Sequence, residues 1–589
     1  VFKTGSENLS ECIKSKNKIL GGVDLLINDK KARAAFCFMN AVMNDKRICE
    51  NNEDLNWREF QMAFILQSLV GVTGERPEER DIADVLWFPT GGGKTEAYLG
   101  IVIFALAYRR LSVNSSDTGL RNDGVGAISR YTLRLLTVQQ FHRALGAIVL
   151  ADIRRVRNWL PDSAKSGSEK IEEPVLLKKL TDGSFWGNHR FSLGLWIGNK
   201  ITPKQFVTGY SRTNHKTLLN CEGSLLPQWD KKRKRSEATG DPDQISNCPI
   251  CKNILCVSKD DARIDDFTKI TWIVKLSKNS KILKNGITDQ TVFEDQTIKI
   301  KTKPLLEIIS ATPDEFNYYR LTMEIKPRLN SVFLSRTLID TWWRDCIKKE
   351  LVVGDDNAEP LQSTSASMPG YFFLKHNEQI YDFEMFCTNQ ECQLNKFSWF
   401  EKLENKFDAS IPEAFQIKNS NLSSSIPISA FLYDEKVYTK CPSFLIATVD
   451  KFANLPFEPQ CASIFGNVDV IHPVFGYGRR SVIKSPLKKI NGTGRQEIPP
   501  DELEDVFGFN PPSLILQDEL HLIEGPLGSM MGIYELAVDV LTDNGLKPKY
   551  IASSATIKEA ASQVGTIFRK EVSIFPKPGI DSFDNYFSK

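Results

Sequence analysis

Apolar residues in the first 56 positions recur at helical spacing. Ala34, Phe36, Phe38, Met39, Val42 and Met43 offer one face before an acidic, Asn-rich turn at residues 51–54. From Trp57 the rhythm changes to a helix, an apolar strand at residues 84–88, a long helix from Lys94, a strand at 125–129 and a second long helix from about Thr132. Strands alternating with helices of this length predict a parallel α/β sheet. From about residue 158 the alternation stops. The following stretch mixes short strands, aromatic clusters, cysteines and polar runs, among them a basic run at 231–235 and a Ser-rich tract at 420–425, both expected to be loops. Strand-like runs return at 444–447, 514–517 and 550–553, with a helix between the last two. The expected organisation is an N-terminal helical segment (1–56), the first part of an α/β domain (57–157), an inserted mixed α+β domain (158–440) and the second part of the α/β domain (441–589).

Composition narrows the class. The 589 residues are 41% hydrophobic and 25% charged, enough for about three to five domains with cores of their own. The longest apolar run, residues 98–108, is short of the roughly 20 residues a membrane span needs, so a cytoplasmic protein is expected, with no membrane partner. Lys plus Arg total 75 against 73 Asp plus Glu, so any nucleic-acid surface must be a local patch. Twelve cysteines in a chain this long are too sparse for a disulfide scaffold, and several are spaced like metal ligands.

The chemistry concentrates at strand ends. The apolar strand before Phe88 runs into Pro89, Thr90, Gly91, Gly92, Gly93, Lys94 and Thr95, and then into an apolar helix. That order suits a phosphate cradle, in which glycines let backbone N–H groups crowd an anion at a helix N-terminus. Lys94 would supply a point charge to the β- and γ-phosphates of ATP, and the Thr95 hydroxyl would ligate Mg²⁺. The partner half of such a site is an acidic pair after a buried strand, and residues 514–521 (LILQDELH) have that form. Asp518 would hold Mg²⁺, Glu519 would orient or deprotonate the attacking water, and His521 would relay the γ-phosphate state. Ser554 and Thr556, in a Ser-Ala-Thr at the end of the 550–553 strand, are coupling candidates. A second Ser-Ala-Thr at 310–312 precedes the acidic pair and is assigned to the insertion.

Two segments suit phosphodiester contacts: Arg130, Thr132, Arg134 and Gln139 after one strand, Thr448 and Lys451 after another. Arg479, Arg480, Lys484, Lys488 and Lys489 form a further candidate DNA-facing loop. Gln61, on the helix before the phosphate loop, could read the adenine edge with one donor and one acceptor. In the insertion, Cys248 and Cys251 have zinc-knuckle spacing, and Cys387 with Cys392 could complete a four-thiolate zinc site, with Cys256 and Cys221 as alternative ligands.

In this order the motifs resemble the first RecA-like domain of a superfamily 2 helicase of the DExH type, and more narrowly the DrmA-type helicases of the bacterial DISARM anti-phage system. The phrases that carry the likeness are residues 87–99 (WFPTGGGKTEAYL), 130–141 (RYTLRLLTVQQF), 447–453 (ATVDKFA) and 517–525 (QDELHLIEG). The resemblance implies a RecA-like P-loop ATPase fold, ATP-driven binding or translocation of DNA, a partner protein DrmB with a DUF1998-type domain, and a role in antiviral defence. The chain opens with Val1 and reads as part of a longer protein, without the second RecA-like domain that supplies arginine fingers. Such fingers contribute on the order of 10³ to 10⁵ in turnover, so this part alone is expected to hydrolyse ATP poorly. The competing expectations are a nucleotide-gated DNA-binding scaffold that recruits partners without translocation, and a phosphate-loop ATPase acting on protein.

Overall fold

The computed structural model describes residues 2–87, 93–112, 121–157, 159, 186–187, 189–198, 201–205, 244–257, 262–264, 268–274, 305–313, 319–326, 332–334, 339, 343, 367–376, 379–395, 425–487, 489, 495–543, 547–554 and 560–576. They fall into two compact units. The first comprises Val1–Gly198, Ser429–Lys484 and Glu497–Lys589; the second comprises Asn199–Ile428 and Ser485–Gln496.

The first unit is a RecA-like α/β fold built on an eight-stranded, all-parallel sheet. Its strands, labelled in chain order, are β1 (Ile82–Trp87), β2 (Ala127–Tyr131), β3 (Leu193–Trp196), β4 (Ala430–Phe431), β5 (Phe444–Thr448), β6 (Leu514–Gln517), β7 (Lys549–Ser554) and β8 (Glu571–Phe575). Their spatial order is β4-β3-β5-β2-β6-β7-β1-β8. Central strands are buried on both faces, as parallel sheets require, and the charged residues they carry, Asp84, Arg130 and Lys549, are paired inside. Two strands, β3 and β4, come from residues 158–440, so the sheet reaches into the stretch that loses its alternation in the sequence. β4 is only two residues long, and β3 stands alone among irregular segments, so neither continues the strand and helix alternation.

One face carries α4 (Lys94–Leu111) and α5 (Arg134–Val156). On the other, Val85, Ile128, Leu445, Ile515 and Ala552 pack beneath α6 (Asp434–Lys440), α7 (Gly525–Leu541) and α8 (Ala560–Phe568). The N-terminal helices α1 (Phe2–Asn28) and α2 (Lys30–Asn51) belong to this unit, α1 on α3 (Glu59–Thr73) and α2 on α4 and α5. Gly22 permits the first contact, since a Cβ there would lie 2.0 Å from the Leu66 carbonyl oxygen. A buried carboxylate fastens the layer: Asp84 on β1 receives Lys18 of α1 at 3.0 Å and Lys549 of β7 at 2.9 Å.

The second unit contains a three-stranded antiparallel sheet of Thr268–Val274, Tyr319–Lys326 and Leu305–Pro313, and two strand pairs. The Ser-Ala-Thr at 310–312 lies within the strand Leu305–Pro313 of this sheet.

Candidate functional site

Parallel register brings the chemistry to one edge. Trp87 at the end of β1 is opposite Ser554, Gln517 at the end of β6 is opposite Ala552 on one side and Arg130 on the other. The acidic pair, the phosphate loop and the end of β2 therefore leave the sheet together at its carboxyl edge, where open α/β sheets bind ligands.

Of the phosphate loop, Gly93, Lys94 and Thr95 are described; Thr90, Gly91 and Gly92 lie outside the described residues. Gly93 caps α4 in the left-handed region at φ 91°. Lys94 is 8% exposed, and its Nζ has no hydrogen-bond partner among the described residues. An ammonium buried at a helix N-terminus without a counterion is costly, and an anion such as a phosphate would offset that cost. Gln61 is buried and already engaged: its carboxamide donates to the Gly93 carbonyl at 2.8 Å and accepts from Arg58 N–H at 2.9 Å. These bonds tie the start of α3 to Gly93 and use one donor and one acceptor position of the carboxamide.

Asp518 and Glu519 follow β6. The Ser553 hydroxyl of β7 donates to Asp518 Oδ1 in a short hydrogen bond. Glu519 N–H donates to the same Oδ1 at 3.0 Å and lies 3.1 Å from Ser553 Oγ. Glu519 adopts φ 49°, ψ 51°, a left-handed conformation rare for a residue with a side chain. His521 Nδ1 is 3.4 Å from Glu519 Oε2. Burial, and then the negative charge of Asp518, push the Tyr98 and Tyr131 hydroxyls well above the usual phenol range, so both stay neutral donors beside the pair. Ser554 is fully buried, and Thr556 lies outside the described residues.

The nucleic-acid candidates separate by exposure. Arg134 and Gln139 are exposed on α5 and Thr132 is half-buried just before it; Arg134 pairs with Asp450 at 3.0 Å. Three expectations are corrected. Arg130 is 1% exposed, ion-paired with Glu535 and ringed by Phe452, Tyr550 and Phe568, so its guanidinium serves the core. Lys451 is buried against Asp434, and Thr448 has no exposed surface. A strand end in a parallel sheet is roofed by its neighbours, and spacing cannot tell roofed from open positions. In the 479–489 loop Arg480 is bound to Asp505 at 2.6 Å. Lys488, the basic run at 231–235 and Cys221 lie outside the described residues.

Sequence reasoning missed Ser553, Tyr98, Tyr131 and Arg143. Arg143 of α5 donates to the Thr95 hydroxyl at 3.2 Å and to Glu96 at 2.7 Å. None stands at a motif spacing, although Ser553 directly precedes Ser554.

In the second unit the sulfurs of Cys248, Cys251, Cys387 and Cys392 lie within 4.8 Å of one another, with Cys248 to Cys392 at 3.8 Å and Cys251 to Cys387 at 3.4 Å. A tetrahedral zinc with Zn–S of about 2.3 Å separates sulfurs by about 3.8 Å, so the cluster could hold zinc. Two strictures shape it: Lys252 turns back at φ 61° with its N–H on the Cys248 carbonyl, and Asn253 donates to Thr388 at 3.0 Å, joining the two knuckles. Hydrogen bonds from the other three thiols hold Cys251 far below the usual thiol range. Cys256 stands apart, its Sγ on the Val257 carbonyl at 3.4 Å.

No protein-family profile matches the chain. Over a 605-residue alignment it is 29% identical to the DISARM protein DrmA of Bacillus paralicheniformis, covering 99% of this chain. The DrmA likeness runs through both units. The chain spans 37% of the length of that relative. No helix among the described residues is long and apolar enough to cross a membrane.

Proposed function

We propose that this chain is the ATP-binding part of a DExH-type helicase or translocase subunit of a DISARM anti-phage system, acting on DNA in the cytoplasm beside a DrmB-type partner. The observation that carries the reading is the buried ammonium of Lys94 at the N-terminus of α4, without a hydrogen-bond partner among the described residues, on the same sheet edge as Asp518 and Glu519. ATP phosphates would sit against Lys94 and the N–H groups of the loop, including Gly91, Gly92 and Gly93. Thr95 and Asp518 would hold Mg²⁺, which neutralises phosphate charge when bound. Glu519, its backbone fixed by Asp518 and Ser553, would orient water, with His521 holding the carboxylate. Ser553 would sense Asp518 and pass its state to β7, and the four thiolates of the second unit would hold one structural zinc.

The test uses the full-length protein. Lys94→Ala should lose nucleotide binding, and Glu519→Gln should retain binding while losing DNA-stimulated hydrolysis. Wild-type turnover in either variant would sink the assignment.

A further inference from the structure

Arg143 lies on the exposed side of α5, more than two turns beyond its start, and reaches the first turn of α4 with a split fork. Nη1 donates to the Thr95 hydroxyl at 3.2 Å and Nη2 to Glu96 Oε1 at 2.7 Å; the side chains of Arg143 and Glu96 are 44% and 30% exposed. An ordinary surface Arg–Glu pair would turn both nitrogens to the carboxylate. Here one arm is spent on a neutral hydroxyl, which fixes the rotamer of Thr95.

That hydroxyl is the group expected to ligate Mg²⁺. A guanidinium donating into the oxygen occupies lone-pair density that a dication needs, and two cations a few ångströms apart repel. The positive charge also falls within the pocket of the acidic pair: the Tyr131 hydroxyl feels Asp518, Glu519 and, in the opposite sense, Arg143.

We propose that Arg143 is a positioning residue that latches the Thr95 hydroxyl and competes with Mg²⁺ for its oxygen. Release frees a guanidinium on the helix whose first two turns carry the exposed Arg134 and Gln139. The inference rests on the reading of Thr95 as a Mg²⁺ ligand.

The experiment titrates Mg²⁺ into full-length protein with a fluorescent ATP analogue, for wild type, Arg143→Ala, Arg143→Lys and Glu96→Gln. Removing a half-exposed ion pair has a modest effect, so Arg143→Ala should lower the Mg²⁺ concentration for half-maximal binding by about two- to fivefold. Binding in excess EDTA should be unchanged. Lysine, which keeps the charge but lacks the guanidinium's fixed fork, should restore part of the wild-type requirement, and Glu96→Gln should shift it in the direction of Arg143→Ala. A superimposable Mg²⁺ curve for Arg143→Ala, or weaker nucleotide binding at every Mg²⁺ concentration, overturns the latch alone. Failure of the wild type to bind the analogue at any Mg²⁺ concentration overturns the phosphate-site reading, and the latch with it.

Discussion

The guanidinium of Arg130, at the end of β2, is ion-paired with Glu535 of α7 inside the core, and the other Glu535 oxygen accepts from the Tyr550 hydroxyl at 2.8 Å. Burial raises the Glu535 carboxyl while Arg130 opposes the rise, so the charged pair survives only with both partners present. Arg130→Ala should cost roughly 3–5 kcal/mol of stability, and an Arg130→Met, Glu535→Leu double variant distinctly less. Arg134→Ala provides the contrast. Its exposed pair with Asp450 contributes at most about 1 kcal/mol, so melting should barely move while DNA affinity falls and its salt slope drops by about 1. A thermal melt and a salt-dependent binding isotherm on each variant decide the matter; DNA loss in Arg130→Ala without loss of stability would contradict the structural role.

Gln61 is tied to Gly93 at the start of α4 by a hydrogen bond of 2.8 Å. An alanine at position 93 would sit at φ 91°, with its Cβ 2.9 Å from Gln61 Nε2. Left-handed backbone costs an L-residue roughly 1–2 kcal/mol, and the displaced amide releases the Gly93 carbonyl. Gly93→Ala should weaken nucleotide binding by about tenfold or more, corresponding to about 1.4 kcal/mol. Gln61→Ala, which removes the tie without the clash, should weaken it less. Equilibrium binding of a fluorescent ATP analogue checks the ranking.

Zinc analysis of the purified protein should return about one ion per chain. Cys251→Ser or Cys387→Ser should lower it and expose residues 199–428 to protease. Cys256→Ser should leave it unchanged, because that sulfur is outside the cluster. Loss of zinc only in the Cys256 variant would reject the ligand set.

Asp152, buried on α5, accepts from Arg155 at 2.8 Å and from Arg190 at 2.9 Å. Burial alone would raise its carboxyl, but the two guanidiniums outweigh it and the net direction is down. A group less basic folded than unfolded contributes stability that is complete above the unfolded carboxylate value of about 3.9 and declines as pH falls through the lower folded value. Asp152→Asn should therefore melt lower than wild type near pH 7, with the gap narrowing below about pH 4. Melting curves across pH 3–7 test this; a gap that widens on acidification would reverse the sign.

The glycine turn into α4 and the acidic pair after β6 can be read from sequence because they are local. A glycine loop closing on Lys94 and an acidic pair after four apolar residues need only strand, turn and helix, which neighbouring residues specify. β5, β6 and β7 lie within a residue of their apolar runs, while β1 (Ile82–Trp87) and β2 (Ala127–Tyr131) begin two residues away from the expected 84–88 and 125–129. β4 has no period because it is two residues long, and β3, although as long as β6, stands in the irregular stretch with no motif after it; both are recruited by register against β5 and each other.

Sequence alone determined the α/β alternation, the order of the phosphate and acidic motifs, and the two cysteine pairs, since each is written in adjacent residues. Tertiary structure decided which polar residues at the sheet edge face inward. It buried Arg130, Thr448 and Lys451, left Arg134 and Gln139 exposed, committed Gln61 to Gly93, and brought Arg143 onto Thr95 and Ser553 onto Asp518. Those outcomes depend on which strands lie side by side and which helices roof their ends. That is a property of packing between separate elements, from 17 residues apart for Lys451 and Asp434 to 405 for Arg130 and Glu535, and no local pattern carries it.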